Sequence, residues 1–252
     1  MTPFTVRLSF HGDLPFFLRS KIGTIERRLS ERTSVKDIIE ACGVPHTEVD
    51  LILLGGRPVD FSHVIGSKAT LEIVPVEPGR VTSFPENRLQ VHDIRSFVAD
   101  GHLGKLVRDL RLLGIDVVYD RTAEDRQLVQ VATHETRALL TRDRRLLMHS
   151  AVRHGYYLRS QNSLEQTVAV LRRFRLYRVL APFTRCLRCN AVLEAAKKHE
   201  VIGQLEPLTK IYYEEFRRCR GCGQLYWSGS HFTKLQNRIE TIRSRLTSAN
   251  AD

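Results

Sequence analysis

Two groups of side chains in this sequence are of a type and spacing that could do chemistry. Cys186 and Cys189 form one C-x-x-C pair, and Cys219 and Cys222 form a second. Such a pair bends a tight knuckle that aims two thiolates at one ion, and four sulfurs favour tetrahedral Zn²⁺. With sulfur in all four places no position is left open for substrate, so this zinc is expected to be structural. The stretch from Cys189 to Cys219 is longer than the usual ~15–20 residues, so the zinc-binding segment must hold an insertion. A redox role would want a pair that opens a helix after a strand, and neither pair does. Cys42 stands apart on the apolar stripe of a predicted helix, as a core residue.

The second group is acidic. Asp100 ends the apolar run "SFVAD", Asp143 ends "RALLTRD", and Asp125 falls in the first turn of the helix expected over "AEDRQLVQVATHE". Taken singly, each has an ordinary explanation, because Asp is favoured at helix N-caps and first turns. Taken together they point elsewhere. Ligands of open parallel sheets bind beyond the carboxyl ends of the strands, where strand order reverses. Carboxylates that converge there repel one another unless a cation sits among them. An oxygen-rich site of that kind suits Mg²⁺ or Mn²⁺. The chemistry implied is hydrolysis of a phosphodiester, in which a metal activates water and offsets charge on the phosphate. Other α/β chemistries lack their motifs. "DGHLGKL" has the wrong glycine spacing for a dinucleotide fold, and neither a P-loop nor a G-x-S-x-G elbow occurs.

The charge balance supplies the partner. Lys and Arg number 39 against 28 Asp and Glu, a net charge of +11. That excess suits a polyanion, nucleic acid first. Arg142, Arg144 and Arg145 crowd Asp143, and Arg185 and Arg188 flank the first knuckle. These five are the expected nucleic-acid contacts. Tyr226 and Trp227 either stack on bases or cover a small core around the cysteines. His199 and His231 have no ligand spacing better than the four sulfurs.

These groups must be held by a folded frame, and the composition allows one. The 252 residues are 42% hydrophobic and 27% charged, as in a soluble globular protein. No run approaches the ~20 apolar residues that cross a bilayer. "MTPFTVRLSF" alternates instead of forming a signal peptide, so a cytoplasmic protein without a membrane role is expected. "FTVRLSF" has the period of a half-buried strand, with Phe4, Val6, Leu8 and Phe10 on one face. His11-Gly12-Asp13 turns towards "LPFFLR", which reads as a second extended run. Ser34 and Gly43 bound a helix carrying Val35, Ile38, Ile39 and Cys42. "VDLILLGGRPV" and "ATLEIVPV" read as further strands, an α+β order. "EPGRVTSFPENRLQVHD" has linker composition. Beyond it strands and helices alternate: "SFVAD", "HLGKLVRDLRLLG", "IDVVYD", "AEDRQLVQVATHE", "RALLTRD", the helix "RRLLMHSAVRHG", "YYLRS" and "NSLEQTVAVLRRF". Alternation with short connections implies a parallel sheet. A last helix aligns Phe232, Leu235, Ile239, Ile242 and Leu246, with Lys234, Arg238, Arg243 and Arg245 projecting elsewhere.

"FVAD…LGKLVRDLRLLGIDVVYD…LLTRDRRLL", followed by "RCLRCN" and "YWSGSH", resembles the Mut-seven C-terminal ribonuclease family. Its members carry a PIN-type nuclease domain followed by a zinc ribbon. "GVPHTEVDLILLGGRPVDF" resembles the ubiquitin-like β-grasp domain often joined to them in bacteria. The resemblance implies that Asp100 and Asp143 are PIN aspartates and Asp125, beside Glu124, the middle acid. Glu165 is the candidate for a fourth. It also implies a homodimer, as PIN-type domains commonly pair, and a docking or scaffolding role for the N-terminal domain towards a protein partner. A sulfur-carrier role would need a free Gly-Gly end, whereas here the chain runs on through "VPVEPGRVTS". The expected architecture is α/β: an α+β ubiquitin-like β-grasp domain over 1–78 and a linker over 79–93 precede a PIN-like parallel-sheet domain over 94–180. A zinc ribbon over 181–229 and a basic C-terminal helix over 230–252 follow. The expected function is a divalent-metal-dependent ribonuclease with a structural zinc ribbon that aids RNA binding. The rival is a non-catalytic RNA-binding adaptor whose acids only cap helices.

Overall fold

A computed structural model describes residues 2–77, 79–91 and 93–248. Positions 1, 78 and 92, at the expected segment boundaries, and 249–252 of the expected C-terminal helix lie outside the described residues. The chain divides into two compact units, each built from two stretches of sequence. One is Met1–Ile94 with Ala123–Arg159, and the other is Arg95–Thr122 with Ser160–Asp252.

In the first unit a five-stranded sheet runs in the order Thr24–Leu29, Phe4–Phe10, Ala69–Pro75, Val49–Leu54 and Arg57–Val59. The Phe4–Phe10 and Ala69–Pro75 pair is parallel and its neighbours are antiparallel. Val6, Leu8 and Phe10 face inward as the alternation requires, and pack with Ile38, Ile39, Ile52 and Leu71. Each such side chain contributes roughly 1.5–3 kcal/mol by leaving water. The helix Val35–Glu40 starts where Ser34 Oγ accepts the Asp37 amide at 3.1 Å and ends before Gly43, whose φ is 93°. This is the mixed sheet and helix of a ubiquitin-like domain.

The stretch "LPFFLR" is not the second strand. Leu14–Phe17 forms a 3-10 turn with Leu14 and Phe17 buried, and the pairing strand is Thr24–Leu29. Pro15 lies in the first turn, where its fixed φ suits a helical start and its missing N–H would leave a gap in a ladder. Apolar content suggested a strand, and proline geometry overrode it.

Residues 123–159 complete this unit. Helix Asp125–His134 leads to the fully buried strand Ala138–Thr141, which pairs in parallel with Gly155–Tyr157. Between those strands the expected helix over "RRLLMHSAVRHG" shrinks to one turn, Arg144–Leu147. The cause is local. Val152 is drawn into the core, and its carbonyl oxygen accepts from His46 Nε2 at 2.7 Å, which ties the segment to the ubiquitin-like domain. His46 Nδ1 meets Glu40 at 2.6 Å, and Glu48 accepts the Tyr157 amide at 2.7 Å and Arg159 at 3.1 Å. Buried polar groups are thus paired across long sequence separations.

The second unit opens with Ser96–Ala99 and Asp116–Tyr119, also parallel. The two parallel pairs are the parallel-sheet content expected of the central segment. Helices Gly104–Leu112 and Ser163–Arg173 pack together, and Asn162 caps the latter by accepting from Leu164 and Glu165. The C-terminal helix Ser230–Ser248 packs on Ser163–Arg173 through buried Ile239, Ile242 and Leu246. Strands Leu193–Ala196, Phe216–Cys219 and Leu225–Trp227 form an antiparallel sheet. The insertion expected between the cysteine pairs supplies Leu193–Ala196, the short helices Lys198–Val201 and Pro207–Tyr212, and the strand Phe216–Cys219 up to its final Cys.

Buried Asp109 joins three helices. Arg238 grips both its oxygens, with Nε at 3.1 and 3.2 Å, and Thr167 Oγ1 donates to it at 3.3 Å. Removing one partner of a buried pair leaves the other charge uncompensated. Asp109→Ala is expected to lower stability by about 3 kcal/mol, read as a lower urea midpoint.

Candidate metal and nuclease sites

The four cysteines come together as expected. Among the described residues they are the one group of three or more His, Cys, Asp or Glu whose ligand atoms all lie within 4.8 Å of one another. Cys186 and Cys219 are buried, and Cys189 and Cys222 are exposed. Burial pushes the Cys186 thiol up, but hydrogen bonds from the Tyr226 hydroxyl and the amides of Cys189 and Arg188 outweigh it and bring the thiol down to about 6. Cys189 is pushed up to about 12, by burial first and then by its three sulfur neighbours. Four sulfurs this close cannot all ionise without a cation, so the donor set fits tetrahedral zinc.

The first knuckle is fastened to the strand Asp116–Tyr119. Arg111, only 3% exposed, donates to Val117 O at 3.2 and 2.9 Å and to the knuckle carbonyls of Leu187 and Arg188 at 3.3 and 2.7 Å. Asn190, at φ 73°, donates to Asp116 at 2.7 Å and accepts the Val117 amide at 3.1 Å. Arg185 donates to Gly114 O at 3.2 Å and Asn190 O at 2.9 Å, and pairs with Asp116 at 3.5 Å. Arg111 and Asn190 were not singled out from the sequence. The signal was thin, one Arg among four charged residues of its helix and an Asn closing a knuckle.

The three aspartates lie where the sequence placed them locally, Asp100 in the second unit and Asp125 and Asp143 in the first. Asp100 directly follows the strand Ser96–Ala99. Gly101 after it packs so closely that a Cβ would sit 2.5 Å from Arg121 O, and Tyr119 donates its hydroxyl proton to Gly101 O at 2.7 Å. Asp125 is exposed at the first position of its helix, beside Glu124, whose amide donates to Gln127 Oε1 at 2.8 Å. Asp143 is exposed and caps the turn Arg144–Leu147, its Oδ1 accepting the Arg145 amide at 2.7 Å and the Leu146 amide at 3.3 Å. Oδ2 has no partner among the described residues. Glu165 accepts the Ser160 hydroxyl at 2.6 Å. Asp120, not singled out from the sequence, also ends a strand. Hydrogen bonds from the Thr122 amide and hydroxyl hold its carboxyl below the usual range.

The basic residues divide by environment. Arg142, Arg145 and Arg188 are exposed, and Arg188 touches Gln224 at 2.9 Å. Arg144 donates to Phe17 O at 3.0 Å, and Arg185 is held as described. The two aromatics also divide. Tyr226 is tied to the cysteines, its hydroxyl 3.2 Å from Cys186 Sγ and accepting the Leu187 amide at 3.0 Å. Trp227 is 38% exposed and lines a groove of about 870 Å³ with Phe183, Tyr212, Phe232, Arg108 and Arg217. Removing zinc with a strong chelator is expected to loosen the ribbon and release about one Zn²⁺ per chain, measured by elemental analysis beside limited proteolysis. Cys219→Ser is expected to purify without that zinc.

A family model described as the Mut7-C RNAse domain matches residues 95–239, and one described as Mut7-C ubiquitin matches residues 4–80. A comparison with curated proteins finds no match. The first match spans more than half of the 252 residues and contains the four cysteines, Asp100, Asp125 and Asp143. The chain therefore belongs to the Mut7-C RNAse domain family, with a Mut7-C ubiquitin domain ahead of it.

Proposed function

We propose that this protein hydrolyses RNA phosphodiester bonds with Mg²⁺ or Mn²⁺ held by Asp100, Asp125 and Asp143. The family match carries the ribonuclease assignment. The residue assignment rests on Asp143, an exposed carboxylate at the end of a buried parallel strand with one oxygen engaged in the cap and the other open. Asp100 and Asp125 complete the donor set by their places beside strand and helix ends. A divalent ion bound there supplies positive charge to the scissile phosphate and a more acidic water. The chain's own residues orient the RNA: exposed Arg142, Arg145 and Arg188 meet phosphates, while Trp227 offers a face for a base. Arg144 and Arg185 serve this surface from internal anchorages. The zinc ribbon is structural, the ubiquitin-like domain contacts a protein partner, and two copies of the chain pair. Free cysteines fit the cytoplasm. The functional segments follow the boundaries 1–78, 79–93, 94–180, 181–229 and 230–252.

A second reading has a specific observation in its favour: Asp143 performs an ordinary capping role, as in a non-catalytic RNA-binding adaptor. Asp143→Asn separates the two, because Asn caps as well as Asp but carries no charge. With short single-stranded RNA and Mn²⁺, the variant is expected to cleave more than about a hundredfold slower while keeping its fold. Equal cleavage by variant and wild type would refute the nuclease assignment. Trp227→Ala is expected to weaken RNA binding by about 1–3 kcal/mol at fixed salt, measured by fluorescence anisotropy. Unchanged affinity would remove Trp227 from the RNA surface.

A further inference from the structure

We infer that Arg144 is a positioning residue for Asp143 and that the ubiquitin-like domain supplies its socket; this rests on the catalytic assignment of Asp143 made above. Arg144 is the residue next to Asp143 and opens the one-turn helix that Asp143 caps. Its side chain turns away from solvent into a cage. The guanidinium carbon lies 5.2 Å from the Phe17 ring centre and 5.7 Å from those of Phe16 and Tyr157, and Nη1 donates to Phe17 O at 3.0 Å. A planar cation can stack on rings and still donate in its plane, which a Lys ammonium cannot reproduce.

The cage is itself braced. Phe17 packs edge-on against Phe16 at 5.3 Å and Tyr157 at 5.4 Å. Arg159 lies over Phe16 and Phe17 at 5.5 and 5.2 Å, and is anchored by Glu48 at 3.1 Å and Asp13 at 2.8 Å. The turn that presents both phenylalanines is closed by the Phe16 amide on Asp13 O at 3.1 Å and the Leu18 amide on Pro15 O at 3.1 Å. The proline that ends strand character there therefore shapes the socket.

On the other side the Asp143 amide donates to Thr141 Oγ1 at 3.0 Å, and Thr141 O accepts the Leu158 amide at 2.9 Å. The backbone of 143–146 is thus held by Thr141, by the Asp143 cap and by the Arg144 side chain. These ties fix where the open Asp143 oxygen points. Arg142 and Arg145, on either side, are exposed and remain suited to phosphate. Arg144 alone of the three reaches into the ubiquitin-like domain, which gives that domain a part in setting the nuclease residue.

Arg144→Met removes the stack and the donor. Phe16→Ala opens the cage at a half-buried ring and leaves Arg144 itself in place. Each is compared with wild type in Mn²⁺-dependent cleavage of a short single-stranded RNA, in the salt dependence of RNA binding, and in amide exchange at Arg145 and Leu146. Both variants are expected to lower kcat by about ten- to a hundredfold with KM within about twofold, since small misplacement of a reacting group is costly. Both are also expected to speed exchange of the two cap amides about tenfold or more, with exchange in the strand Ala138–Thr141 unchanged. A higher KM and a shallower salt slope for Arg144→Met, with kcat and cap exchange unchanged, would make Arg144 a phosphate contact and overturn the proposal. Unaltered kcat and cap exchange in Phe16→Ala would overturn it as well, as would a lower Tm alone in either variant. Should Asp143→Asn cleave as wild type does, the nuclease assignment fails separately, and cap exchange still decides whether Arg144 fixes the loop.

Discussion

A guanidinium group that leaves water must find acceptors for its N–H groups, and much of this structure follows from where those acceptors are. Arg111 takes main-chain carbonyls from Val117, Leu187 and Arg188, and so binds a helix, a strand and a cysteine knuckle together. Arg185 does the same with Gly114 and Asn190, and Arg144 with Phe17. Charged hydrogen bonds are roughly twice as strong as neutral ones, and the planar fork can serve more than one carbonyl at once. A Lys at any of these places would present a point charge and lose the geometry. The net charge of +11 is therefore a mixed quantity. Part of it faces outward, as at Arg142, Arg145 and Arg188, and part is consumed in holding distant segments in register.

The first cysteine knuckle illustrates how a small motif gains a foothold. Two cysteine pairs can close around an ion, but a ribbon of three short strands buries little apolar surface. Cys186, Leu193 and Cys219 form one small cluster, and Ala196, Val201, Leu205, Phe216 and Leu225 another. The rest of its anchorage is polar, through Arg111, Asn190 and Arg185. Tyr226 has a similar part: its hydroxyl reaches Cys186, which keeps its ring beside the cysteine cluster. Trp227, one residue on, alternates to the other face of the strand, and both residues border the groove.

The features legible in the sequence were those with a local cause. Alternation set the face of Phe4–Phe10, Ser34 and Asn162 marked helix starts, and the cysteine spacing gave the metal cluster. Strand–helix alternation gave the parallel pairs Ser96–Ala99 with Asp116–Tyr119 and Ala138–Thr141 with Gly155–Tyr157. Features with a distant cause were not legible. "LPFFLR" carries strand-like apolar content, yet Pro15 and the burial of Leu14 and Phe17 make it a turn. "RRLLMHSAVRHG" has helical spacing, yet the Val152 carbonyl is claimed by a histidine more than a hundred positions earlier. At the candidate site the acids could be located one by one, because each lies at the boundary of a local element. The partners of Arg144 and Arg185 could not, because nothing in a run of arginines says which will find a carbonyl.

The order in which the units draw on the chain has a consequence for biosynthesis. The first unit takes residues up to Ile94, yields Arg95–Thr122 to the second, and is completed only by Ala123–Arg159. The ubiquitin-like sheet therefore leaves the ribosome before the strands and turn that cover its Phe16–Phe17 corner. Until Arg159 has emerged, that corner, the acceptor Glu48 and the donor His46 Nε2 lack their partners from Ala123–Arg159. Closure of such long loops is slow compared with local structure, so the nascent sheet waits with apolar surface uncovered. Vectorial synthesis thus makes the middle of the polypeptide, not its end, the point at which the first half becomes whole.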